Sequence, residues 1–159
     1  MRTFLFILMI AFPVITFAQT VNETADQYFD EATNAYLKGK FDQAIVLFEK
    51  AEPLYRNAGN WKKYFESRLR EGACHESLGR LDVAKSITES VLDEVDKIEN
   101  ERDRDLLAAR AYTNIGIYYD FKGNIPKSIY NYKLSMRLTV KHKGDKVQEV
   151  ANLMNNLGN

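Results

Sequence analysis

Beyond about Val21, apolar residues recur three and four positions apart along almost the whole chain, the spacing that draws one buried stripe on an α-helix. Three segments carry it in the same register: Gly39 to Ala51, Gly79 to Val91 and Gly123 to Ser135. In each, the glycine is followed two residues later by Phe41, Leu81 or Ile125 and three further on by Ala44, Ala84 or Ser128. A second helical pattern precedes each glycine. It reads Tyr28, Ala32 and Ala35-Tyr36 in the first unit, and Gly72 and His75 in the second. In the third it reads Tyr112, Ile115-Gly116 and Tyr118-Tyr119. The pattern predicts a helix, a tight turn and a second helix, three times over.

Local chemistry agrees. Gly39, Gly79 and Gly123 stand where the first helix of each pair must stop, a place that favours a left-handed residue without a Cβ. Asp42 and Asp82 are placed to cap the second helix, and Pro126 falls in a first turn, where its missing N–H costs nothing. The small residues Ala32, Gly72 and Gly116 on one helix, and Ala44, Ala84 and Ser128 on the other, let two backbones approach while aromatics fill the space beside them.

Repetition at a fixed period is the signature of a stacked array. The turn glycines lie 40 and 44 residues apart. The third unit (Tyr112, Ile115-Gly116, Tyr119, Gly123, Ser128, Tyr132, Ser135) and the first (Tyr28, Ala32, Gly39, Phe41, Ala44, Phe48, Ala51) resemble tetratricopeptide repeats. The second departs from that pattern, with Arg68 at the first aromatic position, His75 at the tyrosine and Thr88 at the phenylalanine. The spacing exceeds the family's usual one, as in repeats of the kinesin-light-chain kind. The resemblance implies an all-α fold, a right-handed α-solenoid of about three and a half stacked hairpins. Its units are residues 19–56, 57–100 and 101–145, with the first helix of an incomplete fourth at 146–159. It also implies a non-catalytic scaffold that binds a protein or peptide and carries no cofactor.

The first eighteen residues follow other rules. Arg2 precedes an unbroken apolar run from Phe4 to Phe12, and Thr16 and Ala18 stand at the −3 and −1 positions before polar Gln19. This is the layout of a secretory signal peptide, residues 1–18, and at fifteen residues the segment from Phe4 to Ala18 is shorter than the roughly 20 a spanning helix needs. The expectation is export to a periplasm or cell surface, with an uncleaved membrane anchor as the alternative. At the other end, Gln148 to Asn159 aligns with the third unit shifted by 42, so the sequence stops within a fourth first helix. Val147, Val150, Leu153, Met154 and Leu157 then form an apolar stripe without a second helix over it. Two expectations follow: the chain is the N-terminal part of a longer protein, and the stripe is a candidate for self-association.

Composition narrows the chemistry. Lys plus Arg and Asp plus Glu are 22 each, so no net field draws the chain to nucleic acid, and Lys62, Lys63, Arg68 and Arg70 alternate with Glu66 and Glu71. One cysteine excludes an internal disulfide framework and a multi-cysteine metal site. Cys74 and His75 are adjacent on a helix and point about 100° apart, which is not a nucleophile–base pair. His75 is expected to pack in the core, and His142, between Lys141 and Lys143, to complement a helix C-terminus. Glu89 to Asp105 holds eight acidic and three basic residues and reads as a solvated helix end with its linker, or otherwise a docking surface for a basic partner. No catalytic residue, metal ligand set or phosphate loop is present in the pattern.

What remains is recognition along the inner face, where the first helices of the hairpins lie. Asn114 and Asn156 occupy equivalent positions 42 apart, and an amide that donates and accepts at once can hold an extended main chain. Thr113, Ile117 and Asp120, with Phe29, Thr33 and Tyr36 in the first unit, are the other candidate groove residues, and Asp30 and Arg70 replace the asparagine in units one and two. The family's basic clamp for C-terminal carboxylates is not matched. Two biological settings stay open: a free-standing exported adaptor, or the N-terminal sensory or oligomerisation region of a larger signalling protein such as a sensor histidine kinase or transcriptional regulator.

Overall fold

The computed structural model describes residues 8–143, with side chains for residues 22–142. Asn156 and the stripe of Val147, Val150, Leu153, Met154 and Leu157 lie outside the described residues, as does the start of the expected signal segment. Six α-helices are described: α1 (Leu8–Leu37), α2 (Phe41–Asn57), α3 (Trp61–Ser77), α4 (Leu81–Glu94), α5 (Glu101–Phe121) and α6 (Ile125–Lys143). A single 3₁₀ turn, Val95–Lys97, follows α4. Each helix packs chiefly on its neighbours in sequence, and α3 also touches α5. The chain is thus an all-α stack of helical hairpins, α1–α2, α3–α4 and α5–α6. No helix among the described residues is long and apolar enough to cross a membrane.

The expected glycines close the hairpins. Gly39, Gly79 and Gly123 have φ of 71°, 73° and 69°. The next residue's N–H bonds back five residues, Lys40 to Ala35, Arg80 to His75 and Asn124 to Tyr119, which is the six-to-one bond of a Schellman cap. Gly59, with φ of 70° and an Asn60-to-Tyr55 bond, builds the same turn between α2 and α3. That turn has no counterpart between α4 and α5.

Because the cap closes one residue after the glycine, the next helix starts at once, and this corrects the expected N-caps. Lys40 and Arg80 hold the cap positions of α2 and α4 without a side-chain bond. Asp42 and Asp82 sit inside the first turn instead, where a carboxylate suits the positive end of the helix dipole. Each then reaches the next hairpin. Asp42 accepts from Arg80 at 3.0 Å, and Asp82 accepts from the Tyr118 hydroxyl at 2.7 Å and from Lys122. These hydrogen bonds hold the Asp82 carboxyl below its ordinary range, Tyr118 contributing most. Asparagines do cap where they occur: Asn60, Asn100 and Asn124 accept from the backbone three residues on.

Two apolar cores result. Phe29, Phe48, Tyr55 and the buried alanines fill the first hairpin and receive Cys74 from α3. The Tyr55 hydroxyl donates to Asp26 at 2.6 Å and ties α2 to α1. Phe65, Leu69, Val91, Leu107 and Ala111 form the second core, and Val95 and Ile98 join it from the α4–α5 link. The acidic stretch is therefore solvated only in part. Asp93, Asp96 and Glu99 face water, while Val95 and Ile98 anchor the link, each contributing about 1.5–3 kcal/mol by burial. The 44-residue spacing also finds its cause here, since α5 has 21 residues against 17 in α3, one further turn.

The two helix-interior glycines prove unequal. A Cβ on Gly116 would lie 2.6 Å from Tyr132 Cε1, and that ring is buried at the α5–α6 contact. A Cβ on Gly72 would meet nothing nearer than 3.5 Å, because Thr88 replaces the aromatic there. Gly116→Ala is expected to cost about 1–3 kcal/mol through overpacking, whereas Gly72→Ala should shift stability by no more than about 1 kcal/mol, toward the folded state. Urea unfolding of the two variants decides it, and equal losses would contradict the asymmetry.

Candidate functional site

The first helices of the three hairpins present a cleft of about 150 Å³, lined by Tyr36, Leu69, Arg70, Ala73, Arg110 and Asn114. Helical spacing explains the convergence. Arg70 and Asn114 both lie nine residues before their turn glycines, and Arg110 stands one turn ahead of Asn114 on the same face of α5. Tyr36 stands on its ring edge against Phe41, with centroids 5.5 Å apart. The Arg70 guanidinium lies over the Phe29 ring at 5.2 Å, and its Nε is buried with no hydrogen-bond partner among the described residues. The cleft therefore combines an aromatic wall, two guanidinium-bearing side chains and one amide. That set favours an extended chain carrying a carboxylate, since guanidinium donates in a fork and the amide both donates and accepts.

The expected groove residues divide between this cleft and other places. Asn114 and Tyr36 line it. Phe29 does not: it is 7% exposed, wedged between Phe48 and Tyr55, with Lys63 Nζ 4.6 Å above its ring. Thr113 turns into the α5–α6 contact, where its hydroxyl bonds Ser135 at 2.8 Å and the Ala109 carbonyl. The Thr33 hydroxyl is spent on the Phe29 carbonyl of its own helix. Ile117 is half-buried and Asp120 exposed, and neither lines the cleft. Sequence reasoning undervalued Arg70 and missed Arg110. The available signal was register, because Arg70 is the Asn114 position one repeat earlier.

Behind the cleft, α3 carries an unexpected ionic cluster. Arg68 Nη1 lies 3.5 Å from Glu52 and 3.7 Å from Glu71, its Nη2 donates to Ser90 at 3.0 Å, and His75 Nε2 lies 3.7 Å from Glu71. Glu52 and Glu71 are only 8% and 6% exposed. Oxygens of both, and His75 Nδ1, are buried without hydrogen-bond partners among the described residues. His75 is thus only partly buried and in ionic company rather than packed in the apolar core, beside a Cys74 thiol that burial, then the Glu71 charge, pushes up to about 11. That thiol stays protonated at neutral pH and is no nucleophile. Likewise Lys141 and His142 do more than complement a helix end: both bond Asp105 on α5, at 2.7 and 2.8 Å, and Lys141 also bonds Glu101.

Burial first, then repulsion from Glu71, raises the Glu52 carboxyl from 4.5 to about 8, and Arg68 offsets this only in part. A carboxyl whose folded value lies above its unfolded one holds more protons when folded. Its contribution to stability is complete below about 4.5 and is lost as pH rises toward about 8. Between those values stability should fall, by at most about 1.4 kcal/mol per pH unit from this group. Glu71, Arg68 and His75 of α3 all face Glu52 or its partners, so Glu52→Gln isolates its share. Denaturant unfolding from acid to mildly alkaline pH should show a flatter slope in Glu52→Gln; an unchanged slope would contradict it.

No protein-family model and no curated protein sequence matches the chain. Among solved structures, it is similar to the type III secretion translocator chaperone SycD of Yersinia enterocolitica. The TM-score there is 0.63 at 18% identity, over 86% of this chain and 90% of that one. It is also similar to BtubC (BKLC) from P. vanneervenii, with a TM-score of 0.56 at 20% identity, over 89% of this chain and 64% of that one. At these identities the likeness is one of fold, a helical-repeat scaffold.

Proposed function

We propose that the chain is a non-catalytic protein-binding scaffold of the tetratricopeptide kind, taking an extended, acidic segment of a partner along the face of α1, α3 and α5. The observation that carries this reading is the convergence of Arg70, Arg110, Asn114 and Tyr36 on one cleft. The repeat glycines and small residues support the family assignment, and the solved neighbour SycD is itself a chaperone for translocators. The proposed contact is a carboxylate held by guanidinium, with Asn114 on the main chain and Tyr36 along an apolar stem. Peptides selected from a random library against the folded chain should be enriched in Asp and Glu. Arg70→Ala and Arg110→Ala should each weaken them about tenfold or more, and Asn114→Ala less, as charge-assisted and neutral bonds differ. Selection of basic or featureless peptides, indifferent to both arginines, would refute it.

The same scaffold is proposed to work outside the cytoplasm, on the strength of residues 1–18. Expressed with its own leader in a bacterial host, it should be recovered from the periplasm with Gln19 as its first residue. Recovery from the cytosol with the leader intact would overturn the export reading and leave the binding reading standing.

A further inference from the structure

A second and larger cleft, of about 480 Å³, opens between α4, α5 and α6, on the side formed by the second helices of the hairpins. Glu89, Leu92 and Asp93 line it from α4, Ile115 and Tyr119 from α5, and Lys127, Tyr130 and Asn131 from α6. We propose that this cleft docks an arginine side chain presented by a partner protein.

The chain shows what such a cleft accepts, because the equivalent crevice one hairpin earlier is already filled. Counting from the turn glycines, Leu92, Ile115 and Tyr119 occupy the positions of Glu52, Glu71 and His75. In that earlier crevice the guanidinium of Arg68 is seated between the carboxyl groups of Glu52 and Glu71 and bonds Ser90. In the later one the position of Arg68 is taken by Tyr112, and no guanidinium of the described chain lines the space. Its carboxylates have moved from floor to rim, and its floor has become apolar and aromatic. An incoming arginine would lay its methylene stem on Leu92 and Ile115 and its guanidinium between Asp93, Glu89 and an aromatic face.

Two further observations point the same way. Asp93 stands in the last turn of α4, where the helix dipole disfavours a carboxylate, and α4 has no basic residue there. Asp93 is exposed and has no ion pair among the described residues, while Glu89 pairs with Lys85 and remains half-exposed. Tyr130 is 63% exposed, a large aromatic on the open rim of the cleft. One cation already demonstrates the affinity of these rings: Lys127 Nζ sits 5.1 Å from the Tyr119 centroid. Lys127 is also the resident competitor, and removing its charge should help the guest.

The test is a titration of the isotope-labelled chain with the peptide Ac-Gly-Arg-Leu-Arg-Gly-NH₂, followed by NMR, against the glutamate counterpart Ac-Gly-Glu-Leu-Glu-Gly-NH₂. The arginine peptide should shift Leu92, Ile115, Tyr119 and Tyr130, and the glutamate peptide should not. Asp93→Asn and Tyr130→Ala should each weaken binding about threefold or more, and Lys127→Gln should strengthen it about twofold, all three effects shrinking in salt. These three side chains are exposed, so the variants keep the fold, and opposite signs for Asp93 and Lys127 distinguish a docked cation from a general loosening. Shifts confined to Arg70, Arg110 and Asn114, no shifts at all, or affinities indifferent to Asp93 and Lys127 would each overturn it. The last two outcomes leave the acidic partner of the other cleft untouched, whereas arginine-peptide shifts confined to Arg70, Arg110 and Asn114 would count against it as well.

Discussion

Everything in this molecule depends on the left-handed glycine that ends a helix and the six-to-one hydrogen bond it allows. At φ near +70° a Cβ is penalised by the backbone itself, so the conformation belongs to glycine whatever space surrounds it. The bond back to Ala35, Tyr55, His75 or Tyr119 leaves only three residues between one helix and the next before the chain turns about and begins again. So short a turn fixes which residues of successive helices face one another. It places Gly116 against Tyr132, Ala32 and Ala44 in one core, and Asp42 within reach of Arg80 in the next hairpin. Were the turns looser, neither cleft would have a defined lining.

Much of this was legible in the sequence because the turn and the small-residue contacts are local or nearly so. The three hairpin glycines, the apolar stripe and Pro126 in the first turn of α6 can be read without coordinates. What escaped was set by partners distant in the chain. The capping role assigned to Asp42 and Asp82 failed because one bond closes the turn earlier than the acidic residue suggests. Gly59 escaped because it has no equivalent between the second and third units, so no repeat marks it. Phe29 and Thr113 lay on the right helices but on the wrong side of them, since a helix of period 3.6 turns neighbours through 100°. Of the predicted groove, Asn114 and Tyr36 do line a cleft, and their companions Arg70 and Arg110 become visible only when α1, α3 and α5 stand side by side.

The two faces of the stack are built from the same repeat by opposite means. On the face of the first helices, Arg70 and Arg110 bring positive charge to a narrow cleft. On the face of the second helices, Glu89 and Asp93 bring negative charge to a wide one. The difference is local to the two clefts: arginines line one, and two carboxylates with Lys127 line the other.

The buried ionic cluster gives the array an address. Arg68 is matched only by Glu52, Glu71 and Ser90, and the positions equivalent to its two carboxylate partners in the following hairpin are Leu92 and Ile115. A hairpin slipped or exchanged by one repeat would part that guanidinium from Glu52 on α2, while Glu71 and Ser90 travel with it in the α3–α4 hairpin. Near-identical repeats in tandem invite such slippage, because each surface resembles the next. Here the order of the first two units is marked by charge, since Arg68 meets Glu52 only in the native register. The unit that departs furthest from the repeat pattern is the one that numbers the others.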